Sequence, residues 1–339
     1  MERDTVLLKD SGEDIAAAAE LIRSGNVVAV PTETVYGLCA DAVNEAAVRA
    51  VFAAKGRPAD NPLIVHLSDF SEAVKYTKSI PELAYRLAER FCPGPLTMVL
   101  PKNDRIPMIT SGGLETVGIR VPSHPVMHRI IQLSGCAIAA PSANISGLPS
   151  PTCAAHVMDD MKGRIAAVVD GGESRFGVES TVISFEGENS VRILRPGAVT
   201  RKMLLEICEE VIVDPAILKE LEEGSIAASP GMKYKHYSPK ADVVMVEGEL
   251  DRFIEYISEN YGENVYSLIF DGDADNFPYR YVTYGADSEE QAHFLFQRLR
   301  ELDEIGADKV YVRAPSKDGV GLAVYNRLIR AAGFEVIRV

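Results

Sequence analysis

The chain has 339 residues, of which 47% are hydrophobic and 25% charged. That is ordinary globular usage with length for two folded units, and it excludes a disordered or low-complexity chain. With 49 acidic against 35 basic side chains the net charge is −14, more than half of it within residues 238–339, which argues against nonspecific grip on nucleic acid.

In chain order, residues 27–31 predict a short buried strand stopped by Pro31, followed by the polar turn Thr32-Glu33-Thr34. Asn44 is placed to cap a helix over 45–55, with Ala47, Val48, Val51 and Phe52 on one face and Gly56 closing it. Strands are expected over 63–67, 96–100, 117–121, 137–140, 168–170, 181–185 and 191–194, and helices over 82–91 and 125–133. Residues 200–221 read as an acidic helix. The stretch from Ser229 to Pro239, punctuated by Pro and Gly, reads as an extended linker. Beyond it, strands over 243–246, 265–270, 281–284, 309–312 and 334–338 alternate with helices over 250–261, 288–303 and 319–332, the pattern of a small, mainly parallel, Rossmann-like unit.

Several familiar sites are missing from the sequence. It has no P-loop, no G-x-G-x-x-G, no G-x-S-x-G and no H-E-x-x-H around His124 and His128. Asp271–Asp275 imitates a calcium loop but has Asn276 where glycine is needed and Val282 where glutamate is needed, so a solvated acidic turn is expected. The five cysteines (39, 92, 136, 153 and 208) are odd in number and form no C-x-x-C, against a disulfide framework or zinc ribbon, and no metal site is expected. Met1-Glu2-Arg3-Asp4 opens no signal peptide, and no apolar run approaches the ~18 residues of a membrane span, so a cytoplasmic setting is expected.

Chemistry gathers at strand ends of the first unit. Lys55 and Arg57 flank Gly56, which suits either one anion held from two sides or a basic helix end complementing its dipole. Arg120 lies among apolar strand residues, where an arginine must reach out to water or hold an anion. His66 lies in an apolar strand, as a satisfied core group or a ligand. Ser142 and Asn144 follow a strand end directly, where ligands of open α/β sheets bind. The linker packs Lys233, Tyr234, Lys235, His236 and Tyr237 into five residues, suited to stacking on a base near phosphates or to plugging a domain hinge.

The segments PTETVYGL (31–38), KGRPADNPLIVHL (55–67), PGPLT (93–97), VGIRVPSHP (117–125), APSANISG (140–147), ESTVI (179–183) and LRPGAV (194–199) together resemble the YrdC-like L-threonylcarbamoyladenylate synthases. Lys55, Arg57, Ser142 and Asn144 meet that family's Lys-x-Arg plus Ser-x-Asn signature, and SPGMKYKHYSP with the tail resembles its long, two-domain form. The resemblance implies a twisted open mixed α/β sheet over residues 9–200, a linker over 201–239 and a smaller Rossmann-like α/β domain over 240–339.

It further implies that L-threonine, bicarbonate or CO2, and ATP become threonylcarbamoyl-AMP and diphosphate, with Mg2+ assisting. A partner transferase complex then modifies a tRNA adenosine beside the anticodon, so tRNA contact by this chain is weak at most. In that reading Lys55 and Arg57 are catalytic. Arg57, Asn61, Thr116, Ser142, Asn144, Ser150, Arg195, Tyr234, His236 and Tyr237 bind ATP, and Thr34, His66, Arg120, the Ala140 backbone and Ser180 bind threonine. A carbamoyl-adenylate former and a double-stranded RNA-binding module are the competing classes. The first lacks its cysteine-rich zinc modules here, and the acidic charge opposes the second.

Overall fold

The computed structural model describes residues 4–57, 59, 61–219 and 237–339. The chain begins with β1 (Val6–Leu8), α1 (Gly12–Arg23), β2 (Val28–Val30), β3 (Gly37–Asp41), α2 (Glu45–Lys55) and β4 (Ile64–His66). Next come α3 (Glu82–Phe91), β5 (Leu96–Pro101), β6 (Thr116–Arg120), α4 (Pro125–Ser134), β7 (Ile138–Ala139), α5 (Ala154–Met161) and β8 (Ala167–Val169). The first unit ends with β9 (Thr181–Phe185), β10 (Ser190–Arg195), α6 (Arg201–Leu204) and β11 (Glu210–Val213). Its strands form one mixed sheet in the order β1-β8-β2-β3-β7-β4-β6-β5-β9-β10-β11.

Alternation explains the layers. Val28 and Val30 of β2 join a core with Ile15, Ala18 and Ile22 of α1 and Met127 and Ile130 of α4. Val27 and Ala29 point the other way, into a larger core with Val48, Val51 and Phe52 of α2 and Leu83 and Leu87 of α3. Each buried Val, Leu, Ile, Met or Phe among them contributes about 1.5–3 kcal/mol. Asn44 caps α2 by accepting from the Ala46 and Ala47 amides at 3.1 and 3.2 Å, and Gly56 closes it at φ 66.

The second sheet contains β12 (Asp242–Glu247), β13 (Val265–Ile269), β14 (Tyr281–Thr283), β15 (Lys309–Arg313) and β16 (Val336–Arg338), in the order β14-β13-β15-β12-β16. Every pairing in it is parallel, the Rossmann-like arrangement expected from the alternating pattern. Its helices are α7 (Leu250–Asn260), α8 (Ser288–Glu304) and α9 (Gly321–Ala331). No helix among the described residues is long and apolar enough to cross a membrane.

Two expectations need correction. The helix expected over 200–221 is only α6, and Val211–Val213 instead pair in parallel with β10. The β-branched run Val211-Ile212-Val213 gains a sheet edge, which outweighs the weak helical period around it. The acidic turn at 271–275 is a 3-10 turn rather than a fully solvated loop, because Asp273 is buried against the Arg313 guanidinium.

Candidate active site

A cavity opens beyond the ends of β4 and β6. It is lined by Thr32, Thr34, Val35, Gly37, Arg57, Pro62, Leu63, Ile64, His66, Arg120, Ala140, Pro141, Ser142, Glu179, Ser180, Arg195 and Tyr237. Parallel pairing of β4 and β6 sets His66 opposite Arg120 at their C-terminal ends. The polar turn after β2 folds back on itself. Thr32 Oγ1 donates to the Val35 carbonyl at 2.6 Å and lies 2.8 Å from Thr34 Oγ1. That turn carries Glu33, whose Oε1 accepts from Arg120 Nη2 at 2.7 Å, with both side chains buried. Glu33 Oε2 is also buried and has no hydrogen-bond partner among the described residues.

His66 is buried, and burial together with the nearby Arg120 charge pushes its pKa down to about 3. Its ring is therefore neutral at physiological pH, with Nδ1 3.2 Å from the Ile64 carbonyl.

The opposite wall comes from β5, β9 and β10. Thr97 Oγ1 lies 2.8 Å from Ser180 Oγ. Arg195 donates from Nε to the Ser180 carbonyl and from Nη2 to Ser180 Oγ, each at 3.1 Å. Burial draws the Arg195 pKa down to about 10, partly offset by Tyr237 and Glu179, so it remains a cation. Tyr237 is buried and stacks on Phe296 at a centroid distance of 5.3 Å.

The cationic helix end divides its labour. Arg57 lines the cavity and lies over the Phe52 ring at 5.4 Å. Lys55 turns its ammonium onto the loop after β7, donating to the Ser142 carbonyl, to the Asn144 carbonyl at 2.7 Å and to Asn144 Oδ1 at 3.4 Å. Burial, reinforced by Arg57, holds the Lys55 pKa well below the usual lysine range. Ser142 Oγ donates to Asn144 Oδ1, and Asn144 Nδ2 donates to the Ile145 and Leu148 carbonyls at 2.8 Å each. The loop is thus rigid, with Ser142 at the cavity and Asn144 and Lys55 behind it.

Thr34, Arg57, His66, Arg120, Ala140, Ser142, Ser180, Arg195 and Tyr237, expected from the sequence, all reach this one cavity. Ser150 stands one hydrogen bond away, its Oγ donating to Glu179 Oε1 at 2.6 Å. Asn61 is buried beside Pro62, where Gly112 takes φ +61 and lets its loop lie against the Asn61–Pro62 backbone. Thr116 lines an adjoining cavity with Pro62, Leu63, Thr97 and Gly118. Tyr234 and His236 lie outside the described residues. Glu33 and Glu179 were given no role from sequence. The signal for them was an arginine inside a strand, which demands a nearby carboxylate.

Among the described residues no group of three or more His, Cys, Asp and Glu stands together as metal ligands. Glu179, which lines the cavity, and Glu33, buried behind Arg120, each hold an arginine, Arg327 and Arg120 respectively, so this donor set does not fit a protein-held metal ion.

The arrangement defines an α/β protein whose larger, mixed sheet carries an arginine-lined cavity at its strand ends, where ligands of open α/β sheets bind. Residues 20–197 match the Sua5_yciO_yrdC family, described as telomere recombination, and residues 199–333 match the C-terminal domain of threonylcarbamoyl-AMP synthase. A threonylcarbamoyl-AMP synthase of Pyrococcus abyssi is 46% identical over 331 residues, covering 96% of each chain. Its Bacillus subtilis counterpart is 44% identical over 338 residues, covering 98% of this chain and 96% of that one. The crystal structure of P. abyssi Sua5 complexed with L-threonine aligns with a TM-score of 0.91 at 42% identity, covering 99% of both chains. The chain belongs to the threonylcarbamoyl-AMP synthase family.

Proposed function

We propose that this protein joins L-threonine, bicarbonate or CO2, and ATP into threonylcarbamoyl-AMP and diphosphate. The product serves a separate transferase complex that modifies a tRNA adenosine beside the anticodon, which places the protein in the cytoplasm. The observation that carries the reading is the convergence of Arg57, Arg120 and Arg195 on one cavity in a chain matched to this family over nearly its whole length.

The threonine amine attacks the carbon of CO2 and loses a proton to solvent, giving a carbamate. A carbamate oxygen attacks the α-phosphorus, the bond from that phosphorus to the bridging oxygen breaks, and diphosphate leaves with the electron pair. Both reactants are anionic, so the site must align them and cancel their repulsion. Arg57 and Arg195 meet the phosphates, with Lys55 behind them fixing Ser142 and Asn144. Asn61, Thr116, Ser150 and the linker residues Tyr234, His236 and Tyr237 complete the nucleotide site. Arg120 takes the threonine carboxylate, and Thr34, His66, the Ala140 backbone and Ser180 hold the rest of that substrate. The orphaned Glu33 Oε2 supports an amino-acid substrate here, since a carboxylate oxygen beside Arg120 suits an amine donor. Mg2+ enters as the counter-ion of the triphosphate rather than on protein ligands. We assign catalysis to the eleven-stranded body, which runs past the expected limit at residue 200 as far as β11, and read the rest of the expected 201–239 linker as the link to the five-stranded one.

The test is diphosphate release from ATP with labelled bicarbonate, with and without threonine. Threonine-dependent diphosphate and a labelled adenylate support the reading. Dependence on carbamoyl phosphate would shift it to the carbamoyl-adenylate class, and salt-sensitive RNA binding without turnover to a binding module.

A further inference from the structure

Arg327 sits on α9, in the five-stranded body, yet its side chain is fully buried at the back of the cavity of the eleven-stranded one. Its Nε donates to Glu179 Oε2 at 2.9 Å and its Nη1 to the Pro196 carbonyl at 2.8 Å. Its guanidinium lies over the Tyr237 ring at 5.7 Å. Glu179, Arg195 and Tyr237 line the cavity, Pro196 follows Arg195, and the other Glu179 oxygen accepts from Ser150. One guanidinium from the five-stranded body therefore touches the support of three residues expected to bind nucleotide, Ser150, Arg195 and Tyr237.

We propose that Arg327 is a positioning residue for the adenylation step, holding Glu179 as a carboxylate so that Ser150, Arg195 and Tyr237 keep their nucleotide-binding geometry. The catalytic site is then completed by the C-terminal body, which acts through this contact without touching substrate. The inference rests on the reaction proposed above.

Electrostatics give the contact its force. Burial alone raises the Glu179 pKa, and the charges of Arg327 and Arg195 with the Ser150 hydrogen bond more than offset it, leaving the carboxyl below its usual range. The groups facing Glu179 are Arg327 from α9, Arg195 from β10, Ser150 from the loop before α5, Tyr237 from the linker end, and Lys55 at longer range. A buried carboxylate that loses one of two flanking cations takes up a proton more readily, and a protonated Glu179 can donate to Ser150 rather than accept from it.

Arg327→Gln tests this. The expected result is an ATP KM raised about tenfold, with threonine KM close to wild type, and an acid limb in kcat/KM for ATP displaced upward by about one pH unit. Arg327→Lys, which keeps the charge but not the planar fork, should return the acid limb while recovering only part of the ATP KM. Should Arg327→Gln not fold, E179Q/R327Q removes both charges of this pair together and should show a raised ATP KM with no displaced limb. Arg300→Ala cuts other contacts between the bodies, to Asp160 and to the Pro149 carbonyl, without touching Glu179, and should leave the acid limb in place. Folded Arg327→Gln with wild-type ATP KM and wild-type pH profile would overturn the role. If wild type releases no threonine-dependent diphosphate, the reaction reading fails, and calorimetric ATP affinity of wild type against Arg327→Gln still decides whether Arg327 sets the site.

Discussion

Glu33 and Arg120 lie 87 residues apart in sequence and meet through one buried 2.7 Å contact beside the cavity that Arg120 lines. The pair is buried on both sides, so neither charge is compensated by water. Arg120 Nε reaches only as far as the Gly94 carbonyl at 3.4 Å, a long contact that a substrate carboxylate can replace. Glu33 thereby fixes the aim of Arg120 while the guanidinium retains donors for a ligand.

Arg120→Lys should separate those two duties. Lysine keeps the charge facing Glu33 but cannot present a planar fork. Threonine KM should rise about tenfold while ATP KM stays near wild type. Arg120→Met strips Glu33 of its counter-charge and should cost about 3–5 kcal/mol in urea unfolding. Wild-type threonine KM in the lysine variant would remove Arg120 from the threonine pocket.

Arg57→Ala should abolish diphosphate release with the fold intact. The side chain is half-buried and lies over the Phe52 ring, a contact worth about 0.5–1 kcal/mol. Circular dichroism and melting should stay near wild type while ATP turnover falls by about two orders of magnitude, the scale seen when a charge-stabilising donor is lost. Normal turnover would refute the phosphate role.

Stability should fall as the solution is acidified, and His66 should account for part of the slope. Its pKa is about 3 when folded and 6.5 when exposed, so between those values the unfolded chain binds the extra proton. Unfolding free energy from this group is thus complete above pH 6.5 and is lost as pH falls toward 3, at up to about 1.4 kcal/mol per pH unit. His156, pushed down to about 4 by burial and by Arg300, adds a second contribution of the same sign. Urea titrations at pH 7, 6 and 5 should show a shallower slope for His66→Gln than for wild type; parallel slopes would place the proton uptake elsewhere.

Much of this was legible in the sequence because it is local. Asn44 and Gly56 bracket α2 by their own chemistry, and the alternating strands and helices after residue 240 give the parallel sheet. What escaped is non-local. β11 is a strand only because β10 offers it an edge, and α1 and β3 lie outside the elements the sequence pattern predicts, although Ser11 caps α1 by accepting from the Asp14 amide at 3.3 Å. Lys55, which the sequence leaves open between an anion ligand and a helix-end charge, directs its donors to Ser142 and Asn144, nearly ninety residues away. Partners of buried charges are set by topology, and spacing alone does not reveal them.

Gly177 offers a test of how tightly the two bodies must dock. It takes φ +70 in the loop just before Glu179, and a Cβ there would fall inside contact distance of the His293 and Ala292 carbonyl oxygens of α8. Backbone cannot give way as a flexible side-chain end can, so Gly177→Ala must shift α8 or the loop, and the positive φ adds strain. The expected cost is about 1–3 kcal/mol, read as a lowered melting temperature. Because the displaced loop leads into Glu179 and Ser180, ATP KM should rise as well, in the direction expected for Arg327→Gln. A variant that melts early but keeps its ATP KM would show that docking stabilises the chain without shaping the pocket.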